Sequence, residues 1–302
     1  MGSATKTFRN GEIIVKEGDI GESFFHLVEG NAIVYAGYGK SDQVKIAVLN
    51  PGEFFGEMAI IDACPRNATV IAKGTVCIDE IPGTEMKKYF AENPDQIIVL
   101  MKHLGNRIQA MTRDYEDAKA LLKEVRESDA GKKKSLFSKI KKHMDVYQSN
   151  KNKIPEPNAD PLRETLETTV DSGFGKIESF SEGAVIYNEG DVDNCMYILH
   201  VGTVGLYKDY GGYGQTKQGE VHDVSFFGEM GMLVEEPRDV TAVAETEGTY
   251  VEIIYPEDLE TIFRSCSIKI ILILRYLSYR LRRLNIDFVN TCQEITEAYG
   301  KN

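Results

Sequence analysis

A chain of 302 residues that is 42 % hydrophobic has room for two domains of ordinary size, each with its own core, which excludes wholesale disorder. Its formal charge of −12, from 35 basic and 47 acidic residues, sets the chain as a whole against polyanions such as nucleic acid and anionic membrane. Five cysteines without a Cys-x-x-Cys pair and five scattered histidines give neither a disulfide frame nor a metal-ligand pattern, so no metal or cofactor is expected.

Met1 to Glu12 hold no apolar run, and no stretch of about 18 apolar residues follows anywhere, so no signal peptide or membrane span is read and a cytoplasmic protein is expected. Short runs rich in Ile, Val, Phe and Tyr come next: Ile13 to Val15, Ser23 to Val28, Asn31 to Tyr35, Val44 to Leu49, Thr69 to Ile71 and Val76 to Ile81. Glu17-Gly18-Asp19 and Glu29-Gly30-Asn31 read as turns between the first of them, and the spacing predicts a compact all-β roll or barrel. From Ile97 the period changes. Ile97, Met101, Leu104, Ile108, Met111, Tyr115, Ala118, Leu122 and Val125 alternate steps of four and three, which predicts a helix from about Asp95 to Val125 with a coiled-coil-like seam.

Residues 128–175 are rich in Lys, Ser, Asn and Pro and read as a linker. Within it, Leu136, Phe137, Ile140, Met144 and Tyr147 fall at helical spacing among lysines. This predicts a short basic amphipathic helix, either docking on an acidic partner or membrane or resting solvated on the acidic rolls. Lys132-Lys133-Lys134-Ser135-Leu136 has the look of a basophilic kinase site or pseudosubstrate.

Beyond the linker the first half returns. Gly11 to Asp19, GEIIVKEGD, is answered by Gly183 to Asp191, GAVIYNEGD; Phe54 to Met58, FFGEM, by Phe226 to Met230; Pro65-Arg66 by Pro237-Arg238. All three pairs share one offset of 172 residues, so the segments between them are equal in length and the chain holds two copies of one domain. The second helix repeats with Ile270, Leu274, Leu277, Leu281, Leu284 and Phe288, at an offset one residue longer. The expected organisation is a first domain at 1–127, a linker at 128–175 and a second domain at 176–302, mainly β with long C-terminal helices.

The chemistry concentrates in Phe54 to Val70 and Phe226 to Val243. Gly56 and Ala59, or Gly228 and Gly231, let backbone N–H groups approach an anion, and a short helical turn from there adds its positive end. Arg66 or Arg238 offers a planar fork for two phosphate oxygens. Glu57 or Glu229 repels a phosphate and therefore suits a sugar hydroxyl.

The pattern F-G-E-x-[AG] followed by P-R-x-[AV]-T resembles the phosphate-binding cassette of cyclic nucleotide-binding domains, as in protein kinase A regulatory subunits, gated channels and the catabolite activator protein. The resemblance implies two β-rolls of double-stranded β-helix, jelly-roll-like form, each followed by long helices, an α+β to mainly β fold. It implies that Arg66 and Arg238 hold the cyclic phosphate and Glu57 and Glu229 the ribose 2′-hydroxyl. Gly56, Met58, Ala59, Asn67 and Ala68 complete the first cradle, and Gly228, Met230, Gly231, Asp239 and Val240 the second. The last helix of the family moves to cap the base, so Asp114, Tyr115, Asp287 and Phe288 are possible base contacts, with solvated acids and seam packing as the alternative roles.

The second cradle differs in Asp239, which follows its arginine where the first has Asn67. A carboxylate facing the pocket cancels much of the contribution of Arg238, and one facing solvent leaves it intact. Neither copy has the Thr that accompanies cyclic GMP in the family or the Ala or Ser that accompanies cyclic AMP. Cyclic AMP is the first expectation and cyclic GMP the second. A helix of about 45 Å outreaches one small roll, so its seam calls for another helix, in an intrachain pseudo-dimer or a homodimer. The chain ends at Asn302 without a helix-turn-helix and carries no kinase loop or nucleophile elbow. The expectation is a non-enzymatic sensor that does not read DNA directly and acts on an unidentified protein effector. The alternatives are a ligand-free scaffold or oligomerisation protein and a kinase-type regulatory subunit.

Overall fold

The structure, a computed structural model, describes residues 4–40, 43–61, 65–127, 175–222 and 225–300. The basic amphipathic segment and Lys132 to Leu136 lie outside the described residues. In the first copy, β1 (Ala4–Phe8), β2 (Ile13–Val15), β3 (Ser23–Ala36), β4 (Val44–Leu49) and β5 (Phe54–Phe55) precede a five-residue helix α1 (Glu57–Ile61). β6 (Thr69–Pro82), α2 (Met86–Glu92) and α3 (Asp95–Glu127) follow. β1-β6-β3-β4 form one antiparallel sheet, with β2 also on β6 and β5 on β3. β3 and β6, 14 residues each, are its long pair.

The runs read as separate strands on either side of Gly30 are one strand, as are those on either side of Gly74. Gly30 bulges instead of turning. Its φ is +84°, the pairing of β3 with β6 shifts register on both sides of Glu29, and a Cβ at Gly30 would run into the backbone of Thr75 and Val76. β1, which the sequence reading passed over, is a polar edge strand on β6, where Thr5 Oγ1 donates to Asp79 at 2.7 Å. Phe25, Leu27, Phe55, Val70, Val76 and Ile78 lead the core of this roll.

The second copy repeats the order. β7 (Lys176–Phe180), β8 (Val185–Tyr187), β9 (Met196–Val201), β10 (Thr203–Lys208), β11 (Thr216–His222) and β12 (Ser225–Phe227) lead to α4 (Glu229–Val234). β13 (Thr241–Ala244), β14 (Thr249–Ile254), α5 (Leu259–Ser265) and α6 (Ser267–Gly300) complete it. Here the long pair is broken at Gly202, φ +101°, and the roll is two four-stranded sheets, β11-β10-β13-β8 and β12-β9-β14-β7. Tyr187, Tyr197, Leu199, Val204, Phe227 and Val251 lead its core.

Both long helices form where the seam periodicity places them. Ile97, Met101, Leu104, Ile108, Met111, Ala118, Leu122 and Val125 are buried on α3, as are Ile270, Leu274, Leu277, Leu281 and Phe288 on α6. Each helix divides between two compact units. Of the described residues, the first unit takes those within Met1–Tyr89, Arg107–Pro157 and Ser278–Asn302, and the second those within Phe90–Asn106 and Asn158–Leu277. In the first unit Arg126 Nη2 on α3 meets Glu294 Oε2 on α6 at 2.8 Å. Burial and the Asp114 carboxylate push the Cys292 thiol of α6 up to about 12.

The second unit contains a buried charge cluster at the root of α6. Glu252 on β14 accepts Lys269 Nζ on both oxygens at 2.7 Å, His200 Nε2 at 3.0 Å and the Gly175 N–H at 3.0 Å. Burial raises the Glu252 pKa, yet the hydrogen bonds from His200 and Lys269, the Lys269 charge and the Gly175 N–H outweigh it and hold the carboxyl below its ordinary range. The first copy has Glu80, Gln96 and Val28 at the corresponding places.

Candidate ligand-binding cradles

Two motifs that lie far apart in sequence meet at each cradle. In the first unit the Gly18 N–H donates to the Arg66 carbonyl at 2.9 Å and the Arg66 N–H donates to the Asp19 carbonyl at 2.9 Å. In the second, Gly190 and Arg238 make the first of these bonds at 2.8 Å, and Arg238 and Asp191 the second at 2.8 Å. The E-G-D turn thus fixes the backbone of the arginine. Thr69 and Thr241, the last residues of the P-R motif, accept the Glu17 and Glu189 N–H groups at 3.1 and 2.9 Å, so this threonine holds the turn.

Gly56 joins β5 to α1 and Gly228 joins β12 to α4, with φ of +74° and +66°, a conformation costly for any residue with a Cβ. Arg66 Nη1 donates to the Gly56 carbonyl at 2.5 Å, Nη2 donates to the Ser23 carbonyl, and the guanidinium carbon lies 5.5 Å from the centre of the Phe25 ring. A Cβ at Gly56 would stand 2.6 Å from Arg66 Nη1, so a side chain there would displace the guanidinium as well as strain the backbone. Glu57, 1 % exposed at the start of α1, accepts Arg107 Nη1 of α3 at 2.7 Å. The first cradle therefore brings Gly56, Glu57 and Arg66 together and ties the glutamate to the long helix. Met58 and Ala59 are buried behind it, while Asn67 and Ala68 are half-buried beside Arg66.

In the second cradle Arg238 Nη1 donates to the Gly228 carbonyl, and Nη2 donates to the Cys195 carbonyl at 2.8 Å and contacts its Sγ at 3.4 Å. The guanidinium carbon lies 4.5 Å from the centre of the Tyr187 ring and 5.5 Å from that of Tyr197. A Cβ at Gly231, where the first copy has Ala59, would stand 2.7 Å from Nη1, so the guanidinium of Arg238 lies against this glycine. Glu229 is buried, Met230 and Val240 half-buried. Asp239 is exposed. The carboxylate that meets Arg238 is Asp193, with Oδ1 2.5 Å from Nε. Burial lowers the Arg238 pKa, but the Asp193 charge, helped by Tyr187 and Tyr197, raises it above the ordinary value. Burial and a hydrogen bond with Cys195 push the Tyr197 hydroxyl up, and burial does the same to the Cys195 thiol.

Sequence reasoning missed Asp193. The signal was present: at the common offset GDIGES aligns with GDVDNC, which sets Gly21 opposite Asp193 and Ser23 opposite Cys195. The four possible base contacts all fall in the first unit. Tyr115 lies 4.8 Å beneath Lys119 Nζ, Asp287 faces Arg283 Nε at 3.4 Å, and Phe288 is 1 % exposed within the helix packing.

A family model described as the cyclic nucleotide-binding domain matches residues 5–93 and 177–265, the two rolls. A cAMP-dependent protein kinase regulatory subunit of Blastocladiella emersonii is 23 % identical over 242 residues, covering 80 % of this chain and 48 % of its own length. That of Dictyostelium discoideum is 25 % identical over 240 residues, covering 78 % and 58 %. The chain spans about half the length of these curated relatives. Among solved structures, cAMP-bound PfPKA-R covers 89 % of this chain and 76 % of its own at 16 % identity, with a TM-score of 0.37.

Proposed function

This chain belongs to the cyclic nucleotide-binding domain family, and on that premise we propose that it is a non-enzymatic regulatory protein that senses a cyclic nucleotide, cyclic AMP first and cyclic GMP next. The observation that carries the reading is the first cradle. A buried arginine, a glycine at positive φ and a buried glutamate stand at one corner, and the glutamate is ion-paired to a long helix. Arg66 then holds the cyclic phosphate, Glu57 accepts the ribose 2′-hydroxyl, and the Gly56 to Ala59 backbone lines the cradle. Because Glu57 also accepts Arg107, a sugar that reorients the carboxylate biases the position of α3. This gives ligand binding a route to the helices and to a protein effector.

Domains at 1–127 and 176–302 around a linker at 128–175 are the organisation we propose along the chain. The helices pair within one chain as a pseudo-dimer, an arrangement favoured over a homodimer by the Arg126–Glu294 contact. Asp114, Tyr115 and Asp287 are retained as base contacts within this proposal, while Phe288, at 1 % exposure, takes the alternative role of seam packing. Among the described residues no helix is long and apolar enough to cross a membrane; a cytoplasmic location is part of the proposal. Direct DNA reading is not part of the proposal. The names of the relatives favour a kinase-type regulatory subunit as the form of the effector relationship.

A thermal-shift panel of cyclic AMP, GMP, CMP and UMP tests occupancy and base preference together. Stabilisation by at least one of them, abolished by Arg66→Ala with Arg238→Ala, is expected. No shift with any of the four favours the ligand-free scaffold.

A further inference from the structure

The glutamate that opens each E-G-D turn reaches out of the turn to the tip of a hairpin. In the first unit Glu17 Oε2 accepts the Gly37 N–H at 2.7 Å, just beyond the end of β3. In the second, Glu189 Oε2 accepts the Asp209 N–H at 3.0 Å, just beyond β10, and Oε1 accepts Lys208 Nζ at 3.1 Å. Both partners are related by the offset of 172, so this bond has survived duplication although the residue at the tip differs. Both tips are left-handed, with φ of +59° at Gly37 and +51° at Asp209. A left-handed aspartate is strained and persists where its surroundings hold it. The Asp209 N–H, helped by Lys208, in turn holds the Glu189 carboxyl below its ordinary range.

The same glutamate is anchored through its backbone. Thr69 lies opposite Tyr35 in the ladder of β3 with β6, and Thr241 opposite Tyr207 in that of β10 with β13. Each threonine accepts the glutamate N–H, and the arginine three residues before it is bonded through its backbone to the glycine and aspartate of the turn. One residue thus joins the hairpin, the turn and the arginine motif in each roll. A negative charge near a site for an anion works against the ligand. What a glutamate supplies at this place in both copies is reach and an acceptor oxygen.

We propose, resting on the cyclic-nucleotide reading of the cradles, that Glu17 and Glu189 are positioning residues. Each fixes the arginine turn against its hairpin and so preorganises Arg66 or Arg238 for the ligand without touching it. Removing the carboxylate then weakens the binding of an anion, the opposite of what loss of a nearby negative charge does by itself.

Calorimetry with cyclic AMP and cyclic GMP on full-chain Arg238→Ala protein, which leaves the first cradle, reads the role of Glu17. Glu17→Ala is expected to weaken binding about tenfold, the worth of one charge-assisted hydrogen bond. Glu17→Asp keeps the charge but loses the reach and is expected to lose as much. Glu17→Gln loses the charge but keeps an acceptor oxygen at the same reach, and is expected to recover most of the loss. This pair carries the test if the alanine variant does not fold. Because the effect is one of position, the loss in Glu17→Asp is expected to persist at about 1 M salt, where charges are screened within about 3 Å. Unchanged or tighter binding by Glu17→Asp, a loss in Glu17→Gln as large as in Glu17→Asp, or a loss that salt abolishes overturns the proposal. If Arg238→Ala protein binds neither cyclic nucleotide, the underlying reading fails and the proposal with it; if it binds one, a failure among the Glu17 variants falls on this proposal alone.

Discussion

The first roll keeps a glycine against its arginine and a single sheet around its core; the second sets an aspartate against its arginine and splits the sheet in two. Both keep the same pair of backbone bonds between the E-G-D turn and the arginine. Duplication has therefore preserved what positions the guanidinium while one residue that faces it has changed from glycine to aspartate. A shared motif fixes where a charge sits, and residues outside the motif set what surrounds it.

The comparison is sharpest at the roots of the long helices, where the second unit buries Glu252, Lys269 and His200 together. Glu252→Gln removes the anion from a buried cluster and is expected to cost the second unit about 3–5 kcal/mol, read as a lowered denaturant midpoint. The same group sets a pH dependence. Because the folded-state pKa of Glu252 lies below the ordinary 4.5, its contribution is fully present above that pH and is lost as pH falls through the lower folded value. Acid is thus expected to weaken the second unit, and Glu252→Gln to flatten that dependence in acid unfolding curves.

At the first cradle, Glu57→Gln is expected to cost about 1.5–3 kcal/mol in cyclic nucleotide affinity, the worth of one charge-assisted hydrogen bond. The 2′-deoxy ligand is the control: it is expected to bind wild type more weakly than its ribose parent and the variant about equally. If wild type binds both alike, Glu57 does not hold the sugar. Gly21→Asp transplants the feature that distinguishes the second roll and is expected to weaken cyclic nucleotide binding about tenfold, or about 1.4 kcal/mol. An unchanged Kd, from calorimetry on a variant that melts as wild type does, would deny that this position matters. The smallest effect belongs to Arg126→Ala, which removes an exposed ion pair and is expected to change stability by about 0–1 kcal/mol.

The seam positions of both helices, the duplication and the cradle residues were legible because periodicity and motif spacing are one-dimensional signals. Two features were not. The bulge at Gly30 uses the same residue types as a turn, and only the pairing of Leu27 with Ile78 and Asn31 with Lys73 tells them apart. The role of Asp193 depends on a turn folded onto an arginine 45 residues later, so a reading confined to the P-R motif looked to the adjacent Asp239, which the fold exposes. Proximity in sequence was a poor guide to which carboxylate meets the guanidinium.

The most direct test of the central claim is calorimetric titration of wild type and of the Arg66→Ala, Arg238→Ala double variant with cyclic AMP and cyclic GMP. At least one ligand should bind wild type, and the double variant should lose at least tenfold in affinity. Undiminished binding by the double variant would contradict the account.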